Sequence, residues 1–338
     1  MSLVLGALAL IYTLHDVHIR TFGHFFKLIG WFWFAVIAFE TFITSLDAIA
    51  IMAFASPDRV SFRAALLAQV AGRSVNAVTP SGNLGEPVKI SVLAEHVSSS
   101  RAVSTILLYN IVSFAVELWQ VALAAPIMAL LMPMPTDLRW LFLGAGLISL
   151  VGAIGSYALV RRGMLASVVQ VGVKLRLVSQ ARYNRWHAKL SSVDDKLRLV
   201  AGARRRDRLI GIGAVIVSRG LSLCLSLVLL HAMGMPITLA FVAAYTVGGL
   251  PIYFLSTLVP MGLGIAETGY YGLFAALGDN PVFGFMLVVA RRCVLIMYAA
   301  IGLILVAANE TVRKARDTHT TAPELPALTL PVATEQAD

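Results

Sequence analysis

The chain has 338 residues, of which 58% are hydrophobic and only 13% are charged, whereas an average soluble protein carries about 25% charged residues. With a mean hydropathy of +0.81, this composition excludes an ordinary soluble enzyme and indicates about six to eight membrane-spanning helices. The net charge of +9 is unevenly distributed, so it indicates membrane topology rather than nucleic-acid binding. Cys224 and Cys293 both lie in apolar runs, so we expect neither a disulfide framework nor a cysteine metal site.

Seven apolar runs follow one another along the chain. We interpret them as predicting an all-α, polytopic integral membrane protein with about six full transmembrane helices. The first run is short and lacks the basic residues and the cleavage pattern of a signal peptide, so we interpret it as an uncleaved helix. The runs cover residues 1–14, 29–54, 102–131, 138–160, 209–230, 237–259 and 282–308.

A basic segment, residues 161–208, separates the two halves of the chain. It holds thirteen of the 27 basic residues and only three acidic ones, so the positive-inside rule predicts that it is cytoplasmic. Its apolar residues recur at roughly helical spacing, so it either lies on the inner headgroup surface or is a solvated basic loop. Arg313, Lys314 and Arg316 follow the last run, which predicts a cytoplasmic C-terminus. The expected location is a bacterial cytoplasmic (inner) membrane.

Two segments interrupt the apolar pattern with the same residue types in the same order. Residues 79–87 read Thr-Pro-Ser-Gly-Asn-Leu-Gly-Glu-Pro, and residues 259–267 read Val-Pro-Met-Gly-Leu-Gly-Ile-Ala-Glu, 180 residues further on. Proline cannot donate a helical hydrogen bond, and glycine turns easily. The residues expected at the turns are Pro80, Gly82 and Gly85 in the first segment and Pro260, Gly262 and Gly264 in the second.

We interpret these two segments as the tips of re-entrant hairpins. Irregular backbone at membrane depth is tolerated only where protein buries it or where it lines a wet cavity. Two unrelated proline kinks, or two surface loops, are the alternative. Counting crossings outward from the basic segment places the ends of one hairpin, about residues 64–94, on the inner side and those of the other, 237–277, on the outer side.

The two hairpins therefore point at each other, as in an inverted repeat. The first repeat covers about residues 29–131 and the second about 209–308. Both belong to one predicted transmembrane domain, residues 1–317. The remaining residues, 318–338, are rich in proline, threonine and alanine and read as a disordered tail.

Charged and amide side chains recur on single faces of the predicted helices, for example Glu40, Thr44 and Asp47 at i, i+4 and i+7. A charge facing lipid costs about 2.5–3.5 kcal/mol on insertion scales, so we expect these side chains to face inward. They either line a midplane cavity for a charged or zwitterionic headgroup or form structural ion pairs. The predicted cavity residues are Arg73, Asn76, Glu86, Lys89, Asn110, Glu117, Arg219, Glu267, Arg291 and Arg292.

The adjacent arginines, Arg291 and Arg292, point about 100° apart on a helix. Only one of them is expected to face the cavity squarely, and a guanidinium matches phosphate geometry. We expect Arg291 to contact the headgroup and Arg292 to pair with Glu267 or Glu86.

Residues 73–89, followed by Ser100-Arg101-Ala102 and a long helix, resemble the membrane domain of lysylphosphatidylglycerol synthase and its stand-alone relatives. Residues 260–267, followed by Gly278 and the arginine-bearing helix, resemble the second signature of that family. The resemblance extends over about residues 31–308. It implies a flippase-like integral membrane protein with two re-entrant hairpins.

Full-length relatives also carry a soluble aminoacyl-transferase domain after the membrane part. This chain ends at Asp338, so we expect a stand-alone member without that domain. Of the two family functions, the resemblance then implies lipid translocation and not aminoacylation. The family often has an acidic–arginine pair where this sequence has Tyr109 and Asn110. The lipid is therefore left open among a phospholipid, a hopanoid and a polyprenyl-linked lipid.

The leading expectation is a lipid flippase that works by alternating access and is not an enzyme, with no cofactor, metal or nucleic acid. A membrane-embedded enzyme acting on a lipid or polyprenyl phosphate is the second hypothesis, although His15, His18 and His24 have no neighbouring ligand cluster and no Asp-rich motif appears. A scaffold that recruits a lipid-biosynthesis enzyme through the basic segment is the third. The oligomeric state is not predicted.

We predict that Ser98 and Arg185 are cytoplasmic and that Pro135 and Asp279 are external, because the charge distribution and the facing hairpins require it. The test is labelling of single cysteines, introduced at these positions in a cysteine-free chain, with a membrane-impermeant maleimide. Labelling of position 279 only from the inside would contradict the inverted repeat.

Overall fold

The computed structural model describes residues 30, 32–78, 84–162, 204–257, 259 and 262–320. Within these ranges the chain folds into nine helices and no strands, which confirms the all-α prediction. The predicted run 1–14, the centre of the basic segment at 163–203 and residues 321–338 lie outside the described residues.

The nine described helices comprise six that follow predicted apolar runs and three that lie in the predicted hairpin segments outside those runs. They are α1 (Phe32–Ala55), α2 (Phe62–Val78), α3 (Gly85–Ala94), α4 (Ser99–Leu131), α5 (Thr136–Arg162), α6 (Arg205–Ala232), α7 (Leu239–Ser256), α8 (Ile265–Ala276) and α9 (Pro281–Thr320). Helix α9 continues twelve residues beyond the predicted end at 308 and overlaps the first three residues of the predicted tail.

Six of the described helices are long and apolar enough to cross a membrane, namely α1, α4, α5, α6, α7 and α9. Five of them coincide with predicted full spans. The sixth, α7, was predicted as the first arm of a hairpin, but its 18 residues carry no charge and have a mean hydropathy of 1.6. Its counterpart α2 has 17 residues and contains Arg63, Gln69 and Arg73, so it is not among the six.

Side-chain caps and glycines fix several helix ends. The Ser98 hydroxyl accepts a hydrogen bond from the backbone N–H of Arg101 at the start of α4, and the Thr238 hydroxyl accepts one from Phe241 at the start of α7. Such caps satisfy N–H groups that have no partner within the helix. Gly278 has a φ of +78° and ends α8 in the left-handed conformation that favours glycine.

Polar contacts bring the end of α1 and the starts of α4 and α6 to one end of the bundle. The Ser56 hydroxyl donates to Asp207 Oδ2 at 2.6 Å, and Arg101 Nη2 donates to the Ser56 carbonyl oxygen at 3.0 Å. Arg101 Nε also lies 3.4 Å from Asp58 Oδ2. The segment formed by α2 and α3 therefore leaves this end, which we call the Arg101 end, and returns to it.

The segment formed by α7 and α8 starts from the opposite end of the bundle. Phe241 at the start of α7 and Phe274 near the end of α8 meet edge to face, with ring centroids 5.3 Å apart. They share a hydrophobic cluster with Met235, which follows α6. The C-terminal half of α4 also packs against α7, through Ala125 and Ala244 among others.

Each of these two segments packs against the long helix of the other half of the chain. Helix α4 packs against α7, α9 packs against α2, and the helices that begin the two halves, α1 and α6, pack against each other. The contact between α9 and α2 is close because Gly302 has no side chain. A Cβ atom there would overlap Ser74 Oγ and lie 2.6 Å from Val70 Cγ1.

We predict that Gly302→Val lowers the free energy of unfolding by about 1–3 kcal/mol, because the added methyl groups force α9 away from α2. The measurement is the thermal unfolding midpoint of the purified protein in detergent. Gly155→Val in α5 is the matched control, since a Cβ atom at Gly155 meets no atom within 4 Å. Equal midpoints for the two variants would contradict the close α9–α2 contact.

Candidate functional site

Two adjoining cavities lie among α4, α6, α7, α8 and α9, and residues of α1 and α2 also line the second of them. The first chamber has a volume of about 240 Å³ and the second chamber about 420 Å³. Five residues line both of them: Ser226, Tyr245, Tyr253, Tyr270 and Arg291. Three of these five come from α7 and α8, so the second hairpin segment forms much of the shared wall.

Arg219 is the central polar residue of the first chamber. Its Nη2 donates to the Tyr109 hydroxyl at 2.8 Å and to the Ser113 hydroxyl at 3.3 Å. Its guanidinium also lies 3.8 Å from carboxylate oxygens of Asp47 and Glu117. Arg219 on α6 therefore contacts both α1 and α4. Of the residues predicted for the cavity, Glu117, Arg219 and Arg291 line this chamber.

Three arginines and one carboxylate line the second chamber: Arg73, Arg291, Arg292 and Glu40. Arg73 Nη1 lies 2.8 Å from Glu40 Oε1, which joins α2 to α1. Arg292 Nε lies 2.8 Å from Glu267 Oε1, which joins α9 to α8. Glu267 is one of the two partners, Glu267 and Glu86, that were predicted for Arg292 from the sequence.

Glu267 also fixes the turn before α8. Its Oε2 accepts a hydrogen bond from the Gly264 N–H at 2.9 Å, and only 3% of the residue is exposed. Gly262 and Gly264 have φ values of +62° and +80°, in the left-handed region that favours glycine. These two predicted turn residues therefore have the expected conformation, and the ion pair with Arg292 ties the turn to α9.

The first hairpin has a comparable junction. Asn76 Oδ1 accepts from the Gly85 N–H at the start of α3. Glu86 accepts from Lys89 Nζ and, through its other oxygen, from Asn110 Nδ2 on α4, both at 2.8 Å. A glutamate in the first turn of the second arm thus binds the following long helix in both halves of the chain.

Glu267 lines neither chamber, and four other predicted cavity residues, Asn76, Glu86, Lys89 and Asn110, also line neither. These four lie around the first hairpin. Their polar groups bond to the start of α3 or to one another, so the structure gives them a role at the α2–α3–α4 junction. Gly85 is the first residue of α3, where a Cβ atom would overlap the Gly72 carbonyl oxygen. The other predicted turn residues, Pro80, Gly82 and Pro260, lie outside the described residues.

Arg291 differs from the other four predicted basic residues. Its guanidinium reaches the Ser222 carbonyl and hydroxyl oxygens and the Ser226 hydroxyl at 3.4–3.5 Å, beyond the usual 2.7–3.2 Å of an N–H···O bond. Among the described residues no carboxylate pairs with it, whereas each of the others has such a partner. Its donors are therefore weakly satisfied.

The tyrosines of the shared wall were not among the residues predicted from the sequence. Tyr245, Gly249 and Tyr253 occur at i, i+4 and i+8 on α7, and all three line the first chamber. Tyr270 on α8 faces them, with its ring centroid 5.5 Å from that of Tyr245. The i, i+4, i+8 spacing of Tyr245, Gly249 and Tyr253 could have predicted this wall. The sequence prediction considered only stripes of charged and amide residues, so it did not include the tyrosines.

The helices and chambers define a multi-pass helical membrane protein with polar cavities among its spans. The chain belongs to the family of the lysylphosphatidylglycerol synthase TM region, whose sequence model matches residues 1–302. This confirms the resemblance and relates the protein to the modification or translocation of lipids. No curated protein and no solved structure matched the chain.

We predict that Arg292→Ala destabilises the protein by about 3–5 kcal/mol, because it leaves the Glu267 carboxylate buried without its partner. The measurement is again the unfolding midpoint in detergent, together with the yield of inserted protein. Adding Glu267→Gln should restore much of the loss, since an amide oxygen still accepts from the Gly264 N–H.

Arg291→Ala is the control for this pair, because Arg291 has no carboxylate partner in the described structure. Its midpoint should stay close to that of the parent. If Arg292→Ala and Arg291→Ala lower the midpoint equally, the ion pair with Glu267 does not stabilise the fold.

Proposed function

We propose that the protein is a lipid translocator that moves a lipid with an anionic, phosphate-bearing headgroup between the leaflets of the cytoplasmic membrane. The headgroup passes through the two chambers, and the acyl chains stay in the surrounding bilayer. The lipid is moved without covalent change, so the protein is a transporter and not an enzyme.

The observation that carries this proposal is the guanidinium of Arg291 at the boundary of the two chambers. It lines both of them and has no carboxylate partner among the described residues. A positive charge inside a membrane protein is costly without a counter-charge, and a guanidinium fork binds phosphate in a bidentate manner. A bound phosphate supplies the missing counter-charge.

The lining of the second chamber supports an anionic ligand. Two of its three arginines pair with carboxylates, Arg73 with Glu40 and Arg292 with Glu267. Arg291 has no such partner among the described residues, so the chamber carries a net positive charge. Hydroxyl groups of tyrosine and serine line the chambers beside Arg291 and are able to donate hydrogen bonds to the oxygens of a phosphate. The volume of about 420 Å³ is that of a pocket for a small ligand, which suits a headgroup rather than a whole lipid.

The position of the second chamber supports a lipid rather than a water-soluble anion. Tyr253 and Leu295 line this chamber and are 56% and 43% exposed at the surface of the bundle. Both belong to helices with the length and composition of membrane spans. A headgroup therefore has a lateral route into the chamber while its acyl chains remain in hydrocarbon.

We further propose that α1–α4 and α6–α9 form an inverted repeat with two re-entrant hairpins. The exchange of long helices between the halves, α4 against α7 and α9 against α2, supports this arrangement. So do the opposite starting ends of the two hairpins and the matched roles of Glu86 and Glu267. Transport is then alternating access, by movement of one repeat against the other. The C-terminus is cytoplasmic, because basic residues follow the last span.

The test uses purified protein in liposomes that contain fluorescent phosphatidylglycerol or phosphatidylcholine, with and without an imposed ion gradient. We expect the protein to redistribute phosphatidylglycerol between leaflets and to prefer it over phosphatidylcholine. Arg291→Lys should lower the rate on the order of tenfold, because lysine keeps the charge but loses the bidentate geometry. The rate is measured by chemical quenching of the outer-leaflet probe.

Arg63→Lys is the matched control, since Arg63 is exposed at the start of α2 and lines neither chamber. It should keep the parental rate, and mass spectrometry should recover the lipid unchanged. If the parent moves no lipid under any gradient, the translocator proposal is wrong. A parental rate for Arg291→Lys would instead exclude Arg291 as the headgroup contact.

A further inference from the structure

A third cavity of about 620 Å³ lies apart from the two chambers, between α4, α5 and α6. Helix α4 packs against both of the others and contributes an apolar stripe from Ile111 to Trp119. Helix α5 contributes Ala153 and Ser156, and α6 contributes Leu209, Ile212 and Ile216. None of these residues lines either chamber. We call this cavity the α5–α6 groove.

One end of the groove is basic and the rest is apolar. Arg205 and Arg208 in the first turn of α6 line that end. Among the described residues neither arginine forms an ion pair with a carboxylate. The nearby carboxylate, Asp207, instead accepts from the Ser56 hydroxyl. The groove therefore offers two guanidinium groups to an anion at the Arg101 end of the bundle.

The length of the groove matches one leaflet of a bilayer. Arg205 and Ile216 are eleven residues apart on α6, which corresponds to ~16 Å along a helix axis. Half of a hydrocarbon core of about 30 Å is ~15 Å. The arginines at the start of α6 thus lie at headgroup depth when Ile216 lies near the midplane.

We propose that the α5–α6 groove binds an anionic phospholipid, with its phosphate on Arg205 and Arg208 and one acyl chain along the apolar stripe. Charge complementarity selects the headgroup, because basic pockets between transmembrane helices suit anionic lipids. The apolar length selects a lipid over a soluble phosphate. This site is separate from the two chambers, and the bound lipid is not the transported one.

Trp119 makes the proposal testable, because it lines the groove and is 42% exposed. The chain has five tryptophans, and the other four are replaced by phenylalanine to leave Trp119 as the only fluorophore. The full-length protein is placed in phosphatidylcholine vesicles that contain acyl-brominated phosphatidylglycerol or acyl-brominated phosphatidylcholine at equal mole fraction. Bromine quenches tryptophan on contact, so quenching of Trp119 reports occupancy of the groove.

We expect the phosphatidylglycerol to bind on the order of tenfold more tightly than the phosphatidylcholine, through charge-assisted bonds to the two arginines. The double variant Arg205→Gln with Arg208→Gln should bring the ratio of the two affinities, phosphatidylglycerol to phosphatidylcholine, close to one. Arg204→Gln with Arg206→Gln is the matched control, because it removes the same charge from the same helix end but leaves the groove lining intact. Its ratio should stay near that of the parent.

Three results would overturn the proposal. Equal quenching by both lipids would mean that the groove holds bulk lipid only, and equal losses in both double variants would mean general surface attraction. Absence of quenching by either lipid would mean that the groove is closed. Unfolding midpoints identify variants that fold poorly. The single changes Arg205→Gln and Arg208→Gln, each expected to lose part of the preference, replace the double variant in that case.

Discussion

A charge inside a membrane protein must meet a counter-charge, and this constraint organises the helix contacts described above. Arg73 with Glu40 joins α2 to α1, and Arg292 with Glu267 joins α9 to α8. The single side chain of Arg219 on α6 contacts residues of both α1 and α4. Each of these three arginines therefore links different helices of the bundle, so the same side chains compensate charge and hold the helices together.

Arg291 is the exception to this constraint among the predicted cavity residues of the described structure. Arg291 lines both chambers, yet its contacts within the described structure are with serine oxygens at 3.4–3.5 Å. The neighbouring residue on α9, Arg292, does have a carboxylate partner, because its Nε lies 2.8 Å from Glu267 Oε1 on α8. The two arginines differ by one helical position, about 100° of rotation. This directs Arg292 towards Glu267 and Arg291 towards the boundary of the two chambers.

Much of the fold could be predicted because apolar runs of membrane length leave little freedom in placing helices; the run 102–131, for example, became α4 at Ser99–Leu131. The residues of the site were harder to predict than the helices. Hydropathy treats Tyr245 and Tyr253 as parts of an apolar run, so their hydroxyls went unnoticed. Helical periodicity gives the face of a residue but not its partner. It could not separate Glu86, which bonds to Lys89 and Asn110, from residues such as Glu117 that line a chamber.

Helices α4 and α6 divide the two proposed lipid sites. Their inner faces line the first chamber, with Glu117 and Arg219, and their outer faces line the α5–α6 groove, with Trp119 and Ile216. Arg219 bridges the two helices through Tyr109 and Ser113, so any opening between them lengthens these hydrogen bonds. A lipid bound at the proposed groove site would contact both helices and would stabilise the helix separation that fits it best. Because a ligand shifts a conformational equilibrium by its differential affinity for the two states, the anionic lipid content of the membrane would then set the population of open chambers.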